Sequence, residues 1–542
     1  MLQNTKIKYR LLISRILFVV LVFGSAMIND SFAQNSLDTL QKMDKKMPIN
    51  FLNLKIISKD SFANSTFSAI KKAENVSKLK LAIEGVLTQM EQNGYPFSNF
   101  YLDSMFVDSL GLNLNVKFNS EQLITYDSID IGGTARITKS FLHNYLNIKV
   151  NEPYSEKQIK NLEARLSELP YIKVTRAPGV YFSGNKAKPV LYLENRKASS
   201  FDGIIGFAPN SQLNNKLVIT GDLNLKLLNL AGSGKNLSLS FKSFLSGSQD
   251  LQAQFFWPFF LKTKLGLDYS FKLLRFDSTY LEIFNDLGFQ YSIGGGSYLK
   301  MNLQQQQVNV LSPDTLYVRQ TGKLPLFSDV KTTYYGLGGK LIKLDYALNP
   351  RRGYVLEFDF ATGLKNILEN NSLKEIKFST SEGGIYNVYD SIQKNTIQYK
   401  SNINAAFYIP IGKNWVLANQ LKTGWVYNSQ LFLNELYRIG GIKTLKGFDE
   451  QSIFASTFAV LNIEMKYLFQ QNSGFLLFAN GAYYENKANP AKTSDWPYGI
   501  GAGMNLETGA GLFTLYYAVG SEKGNPLAWR FAKIHFGLLN FF

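Results

Sequence analysis

The chain has 542 residues, a net charge of +17 and no cysteine, and its two histidines are His143 and His535. Without thiols there can be no disulfide, no thiolate metal site and no lipidated amino-terminal cysteine, and two histidines nearly exclude a histidine-based metal cluster. The charge would suit nucleic acid, but the lysines are scattered singly through strands and turns, which fits a charged lumen and anionic lipid headgroups better.

The amino terminus reads as a secretory signal. Lys6, Lys8, Arg10 and Arg15 precede the apolar run from Ile16 to Phe23, and Ser31-Phe32-Ala33 offers a small-x-small cleavage site. The run is short for a membrane span, so residues 1–33 are expected to be a cleaved signal and 34–47 a polar lead. Residues 48–120 and 121–198 then mix helices and strands. Ser77 can cap a helix from Lys78 to Asn93, with Leu79, Ile83, Val86, Leu87 and Met90 on one stripe and Asn93-Gly94 as its stop. Strands follow at Asn99 to Asp108 and Leu112 to Asn119, with Phe51 to Ser58 as a weak first strand. The second stretch predicts a strand from Ile124 to Ile131, a turn at Gly132-Gly133 and a helix from Thr138 to Leu146. Another helix starts at Ser155, with Gln158 completing a capping box and Ile159, Leu162, Leu166 and Leu169 as its stripe. Strands from Ile172 to Tyr181 and Pro189 to Asn195 close it. Two small α+β modules are expected, the first degenerate.

From 199 to 542 only strands and turns are predicted, and the apolar period is two. Leu217, Ile219, Leu223 and Leu225 alternate with Thr220, Asp222, Asn224 and Lys226. Leu237, Leu239 and Phe241 alternate with Ser238, Ser240 and Lys242, and Leu265, Leu267, Tyr269 and Phe271 with Lys264, Gly266, Asp268 and Ser270. A charged second face does not make a sandwich core; it makes a sheet between lipid and a polar lumen. The fold class is therefore an all-β transmembrane barrel of about sixteen antiparallel strands, an even number as bacterial barrels require. Starts are predicted near Phe201, Lys216, Asn236, Asp250, Thr263, Leu281, Ser297, Val330, Gly353, Thr396, Asn414, Ser456, Gly474, Tyr498, Leu512 and Arg530. The longest loops, near 308–328, 365–394 and 428–455, should be external and the short turns periplasmic. The last segment, Ile534-His535-Phe536-Gly537-Leu538-Leu539-Asn540-Phe541-Phe542, alternates in the same way and ends on aromatics, as a strand that closes against the first would. Gly537 can soften that closing strand, or simply make room for a lumen side chain.

One long loop carries more than surface residues. Tyr437-Arg438-Ile439-Gly440-Gly441-Ile442-Lys443-Thr444-Leu445-Lys446-Gly447-Phe448 has paired glycines and then a basic-Gly-aromatic tip. Here the chain resembles the BamA/TamA outer-membrane assembly superfamily, the bacterial surface antigen barrels. Asn349-Pro350-Arg351-Arg352-Gly353-Tyr354 is similar to that family's Pro-x-x-Gly strand start and Asn462-Ile463-Glu464-Met465-Lys466 to its Glu-x-Arg strand. Phe478-Ala479-Asn480-Gly481-Ala482 is similar to its Phe-x-Asp-x-Gly strand, and Tyr498 to Gly503 to its glycine-rich one. The α+β modules resemble its polypeptide-transport-associated (POTRA) repeats. The resemblance implies a loop that folds back into the lumen and locks to the wall through Lys446, Gly447 and Phe448 on the loop and Glu464 and Asn480 on the wall. Alternation independently puts Asn462, Glu464 and Lys466 on the lumen face of their strand, and lets Phe478, Asn480 and Ala482 share that face on the next. The chain departs from the pattern with Lys446 for the usual Arg, which loses the bidentate fork, and Asn480 for the usual Asp, which loses the charge.

The implied function is capture of unfolded outer-membrane or secreted polypeptides by periplasmic modules and their insertion or passage through the barrel seam or lumen. Chaperones or accessory assembly proteins and outer-membrane lipids or lipopolysaccharide would be its partners, and nucleic acid would not. A two-partner-secretion transporter and a passive pore are the alternatives. Catalysis and a cofactor are not expected: Gly232-Ser233-Gly234-Lys235 lacks the first glycine and final hydroxyl of a phosphate loop, and Gly499-Ile500-Gly501-Ala502-Gly503 lies in a strand with no helix after it.

Overall fold

The computed structural model describes residues 52–58, 66–73, 76–108, 111–210, 216–244, 248–346, 348–379, 381, 383–488, 493–509, 511–524, 526–527, 529 and 532–541. The expected signal, the polar lead and Phe542 lie outside them. The described residues form two compact units. One holds those up to Asp130 with Ile148–Leu162 and Pro178–Leu191; the other holds Ile131–Asn147, Glu163–Ala177 and those from Tyr192 on.

In the first unit, Leu52–Ser58 pairs in parallel with Gly111–Asn119, which pairs antiparallel with Asn99–Asp108. The helix Val76–Gln92 buries Leu79, Ile83, Val86 and Met90 against Phe100, Leu114, Val116 and Phe118 of that sheet, as its 3.6-residue period requires.

The expected strand from Ile124 to Ile131 is two short pieces, Thr125–Tyr126 and Asp130–Gly132. The capping box at Ser155 does not form, and Ser155 makes no side-chain cap. Gln158 is used elsewhere: its Oε1 lies 2.9 Å from the Tyr126 hydroxyl, which also accepts from Ser155 N at 3.0 Å. Tyr126 is buried, and burial pushes its phenol up to about 12. The helix itself breaks at Asn161 into Glu156–Lys160 and Leu162–Ser167. In the second unit Thr138 caps the helix Lys139–Leu146, accepting from Phe141 N at 3.3 Å.

From Ser200 on, the described residues of that unit form a closed antiparallel barrel of sixteen strands. Six start where the alternation predicts, at Lys216, Ser297, Val330, Gly353, Gly474 and Tyr498. A three-residue piece, Thr493–Asp495, adds to the strand Gly474–Asn486. No helix of the described residues is long and apolar enough to cross a membrane; the strands do so. Outward positions such as Leu461, Ile463, Phe475 and Leu477 are exposed, whereas Asn462 and Asn480 are buried on the inner face. The lumen holds the charges that alternation put there. Lys300 Nζ lies 2.9 Å from Asp286 and 3.1 Å from Asp268, and Lys272 lies 3.4 Å from Glu282.

Three long connections at the external end carry short helices and strands that the sequence pattern does not announce. They include the helices Thr315–Thr321 and Asn371–Lys374 and the hairpin of Tyr437–Ile439 with Ile453–Ala455. Val318, Leu324, Leu373, Ile376, Val388, Tyr389 and Phe432 from these connections share one buried cluster with the strand ends at Val310, Val330 and Ile367. Lys365 and Glu435 form an ion pair at 2.5 Å with side chains 0% and 2% exposed, and Lys365 also donates to Gln430 O at 2.6 Å. Removing one partner of such a pair strands the other charge. Lys365→Met is therefore expected to cost about 3–5 kcal/mol of stability, and the double change with Glu435→Met to recover most of it. Urea unfolding of the purified barrel measures both; equal losses for the single and the double variant would show that the pair is not what holds the cap.

Candidate functional site

The loop between the strands Trp415–Tyr427 and Thr457–Leu468 folds against the inner wall. Lys446 is its cationic tip. Its Nζ lies 3.0 Å from Glu464 Oε1, donates to Asn462 Oδ1 at 3.3 Å and sits 5.1 Å from the Phe478 ring centre. Glu464 also faces Lys466 at 3.4 Å, so one carboxylate serves two ammonium groups. Charge-assisted contacts of this kind are the strong ones, and both partners are largely out of water. Asn480 acts on the backbone rather than on the ammonium: its Nδ2 donates to Lys446 O at 3.3 Å. Asn462 holds the other side, donating to Thr444 O at 3.0 Å.

Gly447 is held by conformation and by space. Its φ is +97°, and a Cβ there would fall 2.7 Å from Gly520 N and 2.8 Å from Val519 O. The wall is correspondingly bare. A Cβ on Gly499 would meet Lys446 O at 2.3 Å, and one on Gly520 would meet Gly447 O at 2.7 Å. The tip thus lies backbone to backbone on the strands Tyr498–Thr508 and Gly511–Ser521. Phe448 is buried in a cluster with Ile439, Leu445, Ile453, Phe458 and Val460. Gly440 and Gly441 both have positive φ where the loop turns back toward Asp449 and Glu450. The five residues expected to form the lock are therefore brought together, with Gly440 and Gly441 at the base of the same turn.

Sequence reasoning missed the tip's other attachments. Lys443 Nζ lies 3.0 Å from Asp222 on the second barrel strand, Lys216–Leu230. Glu450 lies 3.6 Å from Lys242 on the third, Lys235–Phe244, and Lys242 is itself 3.3 Å from Asp222. Asp449 pairs at 2.6 Å with Lys533 on the last strand, Lys533–Phe541. Alternation had placed Asp222 and Lys242 on the lumen face. What it lacked was the distance across the lumen, which no local period carries.

The seam itself is short. Among the described residues the first strand, Ser200–Asn210, meets the last over five register pairs, from Ser200↔Phe541 to Ile204↔Gly537. By contrast, fifteen pairs join Val330–Leu344 to Gly353–Ile367. Gly537 is buried and, opposite Ile204, stands at the end of the seam pairing farther from the modules. His535 faces inward with Gly537, while Ile534 and Phe536 are exposed outward.

A closed sixteen-strand barrel with amino-terminal α+β modules and a loop seated in its lumen defines an outer-membrane protein whose modules lie in the periplasm. The chain belongs to the Omp85 superfamily: the Omp85 superfamily domain model matches residues 229–542, more than half of the chain. The surface antigen variable number repeat, a POTRA model, matches residues 124–192. No curated protein matches the chain. Among solved structures it is similar to CdiB from Escherichia coli, at 12% identity and a TM-score of 0.59, covering 96% of this chain and all of that one. CdiB from Acinetobacter baumannii gives 13% identity and 0.55 over 95% of this chain and 100% of that one. BamA from Haemophilus ducreyi lacking POTRA domains 1–3 gives 14% and 0.50 over 91% and 100%. Identities this low speak to the fold alone.

Lys446→Ala is expected to destabilise the seated loop by about 1.5–3 kcal/mol, the range for hydrogen bonds to charged groups, while Lys446→Arg keeps it seated. Gly447→Val should unseat the tip outright, because both φ and space forbid the side chain. Protease accessibility of the 440–450 segment in the folded barrel reads all three. Identical cleavage of wild type, Lys446→Ala and Gly447→Val would mean the tip is not held by these contacts.

Proposed function

We propose that this protein assembles polypeptides into the outer membrane: its periplasmic modules receive an unfolded chain, and the barrel admits it at the seam between first and last strands. The observation that carries this reading is the pairing of a five-pair seam with a loop tip tied to both of its sides. Lys443 and Glu450 reach the second and third strands, and Asp449 reaches the last. A backbone hydrogen bond contributes about 0.5–1.5 kcal/mol net, so a seam this short can be exchanged for pairing with an incoming strand. The tip would hold the two sides in register until that exchange occurs. Free sheet edges in the modules suit capture of an extended chain by strand addition, and burial of the new strand's apolar face in lipid drives its release. Residues 446–448, 464 and 480 would serve as the lock, and Gly537 as the point at which seam pairing stops. Accessory assembly proteins and chaperones would meet the modules.

A passive pore fits less well, because the external connections pack into a buried cluster and the tip occupies the lumen. Secretion through the lumen would require both to move aside.

The absence of native cysteines makes the decisive experiment clean. Phe201 and Asn540 are opposite one another in the seam, within reach of a disulfide once both are cysteine. The oxidised F201C/N540C protein should fail to support assembly of other barrels in depleted cells, and reductant should restore it. Retained activity in the oxidised state would exclude the seam route. Quantitative proteomics after depletion separates the substrates: loss of several barrels fits an assembly factor, whereas loss of one or two large secreted proteins with barrels intact fits a dedicated transporter.

A further inference from the structure

A cavity of about 700 Å³ opens beside the start of the first barrel strand, and no carboxylate lines it. Its polar wall is Arg136, Thr138, Asn195, Arg196, Ser199 and Asn229. The backbone of this wall is tied down at several points. Arg136 N donates to Asn195 Oδ1 at 2.9 Å, Arg136 O accepts from Asn229 Nδ2 at 2.9 Å, and Arg196 N donates to Tyr171 O at 2.9 Å. Thr138 N is tied to Gly232 O at 2.8 Å. The Asn195 and Asn229 amides are spent on this frame, Asn195 Nδ2 donating to Thr134 O at 3.1 Å and Asn229 Oδ1 accepting from Gly234 N at 2.9 Å, which leaves the two arginines and the two hydroxyls free to act. Neither guanidinium forms an ion pair or hydrogen bond among the described residues, although each offers a fork of donors. The two hydroxyls accept rather than donate: Thr138 Oγ1 from Phe141 N at 3.3 Å and Ser199 Oγ from Leu228 N at 3.2 Å. Each keeps its own O–H proton for something else. Two unpaired guanidiniums and two hydroxyl protons on a held backbone, with no carboxylate among the lining residues, suit an anionic acceptor.

The depth of the cavity says which one. Ala231 and Gly232, which also line it, belong to the tight turn between the second and third strands, at the periplasmic edge of the barrel. Beside them Lys235 Nζ lies 4.2 Å over the Trp257 ring, which packs on Phe260 at 5.1 Å, and Phe259 packs on Phe141 at 5.7 Å. Leu261 at the next turn is 72% exposed. Aromatics with a lysine laid across them mark the membrane–water boundary. The phosphate plane of the periplasmic leaflet is therefore at the level of the cavity. We propose that the Arg136–Arg196 cavity binds the phosphodiester headgroup of an anionic phospholipid of the periplasmic leaflet. The two guanidiniums would take the phosphate oxygens, and the Thr138 and Ser199 hydroxyls would donate to phosphate or headgroup oxygens. The volume falls within the about 300–1,000 Å³ of small-ligand sites and exceeds what a lone phosphate fills. Ser199 immediately precedes the first strand, so a bound headgroup would brace the root of the seam. The assignment needs the membrane position of the barrel but not its assembly role.

The test incubates the full-length purified chain in mixed micelles with equal phosphatidylglycerol and phosphatidylcholine, then counts retained lipids by mass spectrometry. At about 1 kcal/mol per basic contact, wild type should retain phosphatidylglycerol roughly tenfold or more over phosphatidylcholine. The R136Q/R196Q protein should lose that preference, and R136K/R196K should keep part of it. Heat-modifiable electrophoretic mobility ensures that only folded barrel is scored. Equal retention by wild type, or an unchanged preference in R136Q/R196Q, would overturn the proposal. Inorganic phosphate is the second probe: displacement of the lipid by millimolar phosphate would assign the site to the free anion instead. A peptide with a free carboxy-terminal phenylalanine is the third; its displacing the lipid would assign the cavity to a polypeptide end.

Discussion

In hydrocarbon there is no water to receive an unpaired backbone N–H or C=O, so a spanning sheet has to close on itself. Everything else in this molecule follows from that constraint. Closure forces alternation, because each strand has one face in lipid and one in the lumen. The lumen face can then be polar, and the charges collected there, such as Asp268, Lys300 and Asp286, neutralise one another across neighbouring strands. Closure also creates one joint unlike the others, where the first and last strands meet. Here that joint has five pairs among the described residues, and the loop tip is what spans it from inside.

The barrel was legible because its signal is local and repeated. Apolar residues at every second position, punctuated by turns, locate most strand starts to within a residue or two, since a register slip of one would move every side chain to the wrong face. The inner face of the site strands was legible for the same reason: Asn462, Glu464, Phe478 and Asn480 point inward because Leu461, Ile463 and Leu477 point outward. The external connections were not legible, because short helices and a three-residue hairpin carry too few residues to show a period. The capping box at Ser155 shows another limit. The motif was present, but Tyr126, far away in sequence, supplied a buried hydroxyl that needed Gln158 more. The long-range ion pairs of Lys443, Asp449 and Glu450 had no local signature at all; they depend on where the lumen puts strands that lie far apart in the chain.

Lys446 and Asn480 are best understood together. The resemblance implies Arg and Asp at these positions, and each change taken singly removes something: the lysine loses the fork, and the asparagine loses the charge. In this chain the two roles are separated. Lys446 gives its ammonium to Glu464 and Asn462, so it needs no second carboxylate from the neighbouring strand. Asn480 then offers an amide N–H to Lys446 O, a contact that an ionised aspartate, an acceptor only, could not make. A point charge with three donors suits a carboxylate already shared with Lys466, and a neutral donor suits the carbonyl the tip presents to the wall. The glycines complete the logic. Lys446 O comes near enough to Asn480 because Gly499 leaves the wall bare, and Gly520 does the same for Gly447 O, so the polar contacts and the missing side chains are one arrangement. Residues that share a partner in this way do not contribute additively, and the strength of the seated tip belongs to the set rather than to Lys446 alone.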